Sequence, residues 1–384
     1  MTLPIIIDVT RLVARLLEGL IPSGIDRVSL EYVNYFQHQA YALVRVKTYW
    51  VILSKKDSFK IFCLLLSQRE KKAHIYYLVI KNIINYRKFE KAWLLNTGHS
   101  GLHLPSYKKQ LVKNYYNPIF FIHDLIPITH PEYCRAGEDK KHDSRLYTAI
   151  MYHKVIIVNS LDTKTKLLEY AEKNNLNKPN VSVNFLGTKI FFNKVSYSAP
   201  LYNDSYFVIL GTIEARKNHN LLLYIWRYLA ETKCKHIPRL VIIGRRGWEC
   251  ESTIDLLDRC QIIKPYILEI NNCSDSQLSQ WLSHAKALLF PSFVEGYGMP
   301  LAEAYTLGVP VIASNLAVYK EFAKNIPDYI DPLDTFKWCK YILDYTKPNS
   351  ILRNQQLERL KSFQPPSWTD HFAKLETYLT VEYE

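Results

Sequence analysis

The sequence has no Asp-x-Asp pair, no Cys-x-x-Cys pair and no uncharged apolar run approaching ~18 residues, and each absence removes a class of protein. Without such a run no transmembrane span is expected, so any meeting with a membrane takes place on its surface. Seven cysteines, odd in number and lacking paired spacing, argue against disulfide and zinc frameworks and fit a reducing cytosol. The opening stretch MTLPIIIDVTRLVARLL has no basic region ahead of its apolar residues, and Asp8 interrupts it. It reads as a first buried strand with a following segment, not as a signal peptide. Internal repeats, low-complexity tracts and recognisable nucleic-acid modules are also missing.

What is present is an α/β pattern in a chain long enough for two domains, since 384 residues exceed what one hydrophobic core usually organises. Short apolar runs at 5–7, 92–95, 119–122, 155–158 and 181–185 read as buried parallel strands of a first domain. Runs at 206–210, 240–243, 267–270, 287–290 and 309–313 read the same way in a second. Helical patterns separate them, which predicts doubly wound units. The polar stretch 191–205 is the expected linker. A terminal amphipathic helix is expected over 368–379, with Phe372, Leu375, Tyr378 and Leu379 on one stripe.

Charge is unevenly spread. The formal net charge is +13, but residues 1–200 carry 29 Lys and Arg against 15 Asp and Glu, and the rest of the chain is close to neutral. The excess is dense from Lys55 to Lys91. Such asymmetry points to an anionic partner, either nucleic acid or a membrane surface, unless it is only a solvated face.

The segment ALLFPSFVEGYGMPLAEAYTLGVPVIASNLAVYKE, residues 287–321, carries the densest chemistry. A strand ends at Pro291-Ser292, and the loop Glu295-Gly296-Tyr297-Gly298 leads into a helix opening near Met299-Pro300. Proline suits a first helical turn, and Gly308 suits its end. Glycines admit close backbone approach, and a helix N-terminus attracts phosphate. Glu295 and Glu303 can both face the strand-end crevice, where a carboxylate pair can hold the hydroxyls of a sugar and a ribose. A second segment, FVILGTIEARKNHNLL, ends a strand at Gly211 and presents Arg216 and Lys217 as a helix begins. Cations there oppose the helix dipole, so something anionic is expected to compensate. The turn Gly244-Arg-Arg-Gly-Trp248 leaves Arg245 an open candidate near a nucleotide and Trp248 a packing residue.

The first of these segments resembles the hallmark of glycosyltransferase family 4, a Glu-x7-Glu pair around an E-G-[FY]-G-x-P-x-x-E-A core; Glu295, Gly296, Tyr297, Gly298, Pro300, Glu303 and Ala304 match. The second resembles the family's G-x-x-x-x-R-K-[NG] motif. The resemblance implies a GT-B fold, two Rossmann-like domains facing a central cleft. The domains are expected at 1–195 on the acceptor side and 204–364 on the nucleotide-sugar side, with 365–384 as a helix returning toward the first. It places Glu295 on the donor sugar, Glu303 on the ribose, the Tyr297–Leu301 backbone (with Met299) on the diphosphate, and Arg216 and Lys217 on the leaving group.

In the first half, Asp8 and Pro22-Ser23-Gly24-Ile25-Asp26-Arg27 resemble a subset of the family in bacterial surface-polysaccharide synthesis, lipopolysaccharide and capsule included. There Gly24 would let a loop cover the phosphates, and Arg27 either faces the diphosphate or packs. The HDLIP run puts His123 and Asp124 after a strand, with His123 the catalytic candidate and Asp124 and His99 on the acceptor side. Asn159-Ser160 with Thr163 reads mainly as a helix N-cap.

The resemblance implies a retaining hexosyl transfer, best matched by mannose from GDP-mannose. The acceptor would be a glycan or polyprenyl-linked oligosaccharide at the cytoplasmic face of the membrane. No cofactor or metal is expected, because the absence of Asp-x-Asp argues against the metal-binding carboxylates of GT-A enzymes. The alternatives are a GT-B-fold nucleotide-sugar epimerase and a non-enzymatic basic nucleic-acid-binding protein.

Overall fold

The computed structural model describes residues 3–47, 49–69, 71–188, 201–202 and 204–380, so most of the expected linker at 191–205 lies outside the described residues. Two sheets hold the described strands. The first contains β1 (Ile5–Asp8), β2 (Ala40–Val46), β3 (Tyr49–Ile52), β4 (Trp93–Asn96), β5 (Asn117–Ile122), β6 (Val155–Val158) and β7 (Val181–Val183). Their order is β3-β2-β1-β4-β5-β6-β7. The second contains β8 (Tyr206–Leu210), β9 (Arg239–Ile243), β10 (Ile267–Ile270), β11 (Leu288–Phe290), β12 (Val311–Ser314) and β13 (Asp328–Ile330) in the order β10-β9-β8-β11-β12-β13.

Pairing is parallel throughout except between β2 and β3. Parallel sheets with helices on both faces need side chains buried on both sides, which is why β6 reads VIIV and is buried at every position. Three strands were not expected. The β2–β3 hairpin escapes an apolar pattern because Arg45 breaks its run, and the structure turns that arginine inward to Asp8. The strand β13 has only three residues and begins with an aspartate.

Both sheets reverse direction of growth beside their first strand. In the first, β2 lies on one side of β1 and β4 on the other; in the second, β9 and β11 flank β8. At such switch points the loops leaving neighbouring strands diverge, opening a crevice at the carboxyl ends. The residues that follow β1, β4, β8 and β11 therefore meet ligand-sized space by topology alone.

The chain divides into two compact units. One comprises Met1–Ile128, Asp139–Leu186 and Asp370–Glu384; the other comprises Thr129–Glu138 and Gly187–Thr369. Thr129–Glu138 thus sits with the second unit, and the helix Trp368–Leu379 is shared, its residues from Asp370 onward belonging to the first. That helix seats Phe372 and Leu375 in the first unit's core, and His371 accepts or donates with Tyr32 Oη at 2.9 Å. No helix of the described residues is long and apolar enough to cross a membrane.

Candidate functional site

At the second unit's switch point, the loop after β8 and the loop after β11 are tied together by charge. Glu295 is buried, and its carboxylate accepts from Arg216 at 2.7 Å, from Lys217 at 2.5 Å and from Ser292 Oγ at 2.9 Å. Arg216 also pairs with Glu214 at 2.6 Å. Burial alone would raise the Glu295 carboxyl, but Arg216 and Lys217 overcome it and hold the group at about 2. Burial lowers the Lys217 ammonium, and Glu295 opposes that. The compensating negative charge expected beside the two cations is thus partly the protein's own.

Backbone contacts fix this arrangement. Phe293 N–H donates to the Arg216 carbonyl at 2.8 Å, and Asn218, in the left-handed region, donates its amide to the carbonyls of Pro291 and Pro332. Gly211 follows β8 with its N–H on the Ile243 carbonyl, and a Cβ on Gly244 would lie 1.9 Å from the Gly211 oxygen, so the chain touches at backbone level just past the two strands. Gly298 caps the helix Met299–Thr306 with φ +112, and a Cβ there would meet the Tyr319 ring at 2.8 Å.

The other candidates in this unit fall close in sequence to the same loop. Gly296 and Tyr297 precede the cap, and Tyr297 is buried, stacked on Phe322 with ring centroids 4.9 Å apart. Met299 and Pro300 open the helix, Leu301 is buried, and Glu303 is half-buried in its second turn. Arg245 gives its carbonyl to Ile213 N–H, while Arg246 is committed to Asp258 and Glu269. Trp248 packs under Arg135, whose guanidinium lies 4.8 Å from its ring centroid, and Tyr133 stacks on Phe293 at 5.6 Å.

The first unit's switch point holds a second cluster. Asp8, closing β1, accepts from Arg45 at 3.1 Å. Thr97 and His99 follow β4, and His123 follows β5. His123 donates its Nε2–H to the Thr97 carbonyl at 2.7 Å, which leaves Nδ1 as an acceptor; burial pushes this imidazole down to about 4. His99 adopts φ +57, is buried, and has no hydrogen-bond partner for Nε2 among the described residues; burial, then His123 and His142, lower it well below the usual range. Asp124 caps the next turn by accepting from Ile126 N–H at 3.0 Å. Gly24 is the exposed first residue of the helix Gly24–Phe36, and Arg27 is half-buried one turn on. Ser160 Oγ accepts from Thr163 N–H at 3.1 Å, an N-cap.

Sequence reasoning missed the residues that hold these candidates in place. Glu214 and Ser292 brace the Arg216–Glu295 pair. Asp26 binds Arg11 and Arg15 at 2.7 Å each, besides closing a capping box with Ser23. The Ser23-x-x-Asp26 spacing was the available signal for the last; buried ion pairs between distant loops leave none.

Comparison with known proteins gives a domain match and a fold. Residues 198–326 match the family described as Glycosyl transferases group 1. The chain is 26% identical over 259 residues to the serotype-specific mannosyltransferase WbdA of Escherichia coli, covering 63% of this chain and 31% of that protein. It is 31% identical over 167 residues to O-antigen chain mannosyltransferase B of Escherichia coli, 42% of each. It thus spans less than half the length of these curated relatives. Among solved structures, Anabaena Alr3699/HepE in complex with UDP and glucose superposes with a TM-score of 0.68 at 13% identity, over 99% of this chain and all of that one. Sucrose-phosphate synthase from Thermosynechococcus elongatus gives 0.63 at 13% identity, over 98% of both chains. Residues 198–326, which lie in the second unit, thus match the glycosyl transferases group 1 family, and the chain as a whole has the GT-B fold.

Proposed function

We propose that the protein moves a hexose, mannose from GDP-mannose, onto a glycan or polyprenyl-linked oligosaccharide in surface-polysaccharide synthesis, with retention at the anomeric carbon. The observation that carries this reading is the Glu295 carboxylate held ionised between Arg216 and Lys217 at a switch point, beside a helix N-terminus. A nucleoside diphosphate offers those cations a stronger partner, because phosphate oxygens match the guanidinium fork. As the cations turn to the phosphates, Glu295 is released to accept from sugar hydroxyls. Glu303 is assigned to the ribose, and the backbone at Tyr297, Met299 and Leu301 to the diphosphate. His123 is assigned to the acceptor side.

Charge on the leaving diphosphate is then met by Arg216 and Lys217, and we infer no metal requirement. The acceptor oxygen bonds to the anomeric carbon on the face the nucleotide leaves, and a donor phosphate oxygen takes the acceptor's proton. Mannose is favoured by the two Escherichia coli relatives, whose names specify mannosyl transfer. UDP-hexose is the competing donor, since neighbouring folds hold UDP. The protein would work peripherally at the inner face of the cytoplasmic membrane.

Calorimetry with GDP, UDP and dTDP, each with and without EDTA, tests the reading. GDP should bind tightest and EDTA should change nothing. Arg216→Ala should weaken binding by about tenfold or more, the worth of one charge-assisted hydrogen bond. Binding of none of the three, or binding abolished by EDTA, refutes the corresponding part.

A further inference from the structure

The helix Lys72–Ile84 is apolar on both of its faces. Ile75, Leu78, Val79 and Asn82 are buried beneath it. Its orientation is fixed, because Asn82 donates to Asp57 at 2.9 Å and accepts from Ser54 N–H at 2.9 Å, and Lys81 pairs with Asp57 at 2.9 Å. At 3.6 residues per turn, Tyr76, Tyr77, Ile80, Ile83 and Ile84 fall within an arc of about 120° on the opposite side. They are exposed by 56%, 60%, 55%, 43% and 78% respectively. Tyr86, just past the helix, is 67% exposed. A helix hydrophobic all round belongs in a buried setting, and among the described residues this one has cover on one side only.

The charge around the patch says what kind of cover fits. From Lys71 to Phe89 there is no Asp or Glu; Lys71 and Lys72 stand exposed at the helix start, and Lys88, 4.0 Å from Glu90, stands exposed beyond its end. Protein interfaces deplete lysine around an apolar centre. An anionic bilayer attracts it, and tyrosine suits the headgroup level, with its ring in the acyl boundary and its hydroxyl in water. The stripe from Tyr76 to Ile84 is about 12 Å long, enough to lie in the interface and too short to span it.

We propose that this helix face, and not the positive charge of the first half at large, docks the protein onto an anionic lipid surface, lying in the plane of the interface with Ile80 and Ile84 inserted. This deepens the peripheral-membrane part of the reading above and stands apart from the identity of the donor. Two exposed substitutions separate insertion from bulk charge. Ile80→Glu with Ile84→Glu removes two charges' worth of attraction and the apolar face. Lys109→Glu with Lys113→Glu, on exposed positions of the helix Pro105–Lys113, removes twice that charge and leaves the face intact.

Sedimentation with vesicles of equimolar phosphatidylglycerol and phosphatidylcholine, against phosphatidylcholine alone, is the measurement. The wild type should partition onto the anionic vesicles, the isoleucine variant should lose at least about tenfold, and the lysine variant should stay within about threefold. Circular dichroism and nucleotide binding should be unchanged in both, which distinguishes failure here from failure of the donor reading. Loss following charge, with the lysine variant the weaker binder, overturns the proposal. So does a wild type indifferent to lipid, or light scattering that shows the isoleucine variant breaking up an oligomer instead.

Discussion

Replacing Glu295 by Gln keeps the shape of the site and removes one charge, so its consequence can be worked from the ion pairs alone. Folding moves the Glu295 carboxyl from its ordinary value near 4.5 to about 2. At ~1.4 kcal/mol per unit this is about 3 kcal/mol of stability at neutral pH. The same figure follows from the handling of buried pairs, where removing one partner costs about 3–5 kcal/mol because the other charge stays behind. One feature keeps the loss at the lower end: Arg216 retains Glu214 as a partner. In a unit of this size about 3 kcal/mol lowers the melting temperature by roughly 6–12 °C.

The pH dependence has a definite sign. A carboxyl depressed on folding contributes fully above its unfolded value and loses that contribution as pH falls, so the gap between wild type and Glu295→Gln should close between about pH 4.5 and 2. Scanning calorimetry across that range is the assay. Saturating GDP should raise the variant's melting temperature more than the wild type's, because the diphosphate meets cations that no longer have a carboxylate to leave. A variant melting within about 2 °C of wild type at neutral pH would refute the reasoning.

Gly298→Ala should cost about 1–3 kcal/mol, read by urea unfolding, since the residue sits at φ +112 with the Tyr319 ring 2.8 Å from the new Cβ. An unchanged midpoint would mean that the cap relaxes freely. Burial holds His123, His219 and His371 at about 4, 3 and 4. Each is neutral when folded and binds a proton more readily when unfolded, so stability should fall as pH drops from about 6.5 toward 4. A melting temperature flat over that window would contradict their burial.

The parts of the molecule legible in the sequence are those where one residue type has one reason to be there. Buried parallel strands announce themselves because both faces demand Val, Ile and Leu, and the Ser160 cap is visible as a short polar residue ahead of a helix. The Glu295 to Glu303 loop was visible as a pattern. Its state was not: that Glu295 spends itself on Arg216 and Lys217, with Glu214 and Ser292 as braces, depends on two loops closing on each other across separations of 79 and 78 residues. Arg45 shows the same limit from the other side. Its charge hid a strand in the pattern, because nothing local reveals that Asp8 waits beneath it. The helix Lys72–Ile84 was noted only for its lysines, since a covered and an uncovered apolar face read identically until one is seen to face outward.

The path of the chain between its two units bears on how proteins with this fold could be recombined. Thr129–Glu138 lies with the second unit although the sequence on either side of it belongs to the first, and the final helix returns again. Tyr133 covers Phe293, next but one to Glu295, and Arg135 covers Trp248. A chimaera made by a single join near residue 187 would therefore deliver a second unit with another protein's segment packed on Phe293 and Trp248. Transplanting that unit intact takes at least one further insertion, of residues 129–138. Lineages that shuffle their domains by simple crossover would have to tolerate the mismatch or keep that segment unchanged.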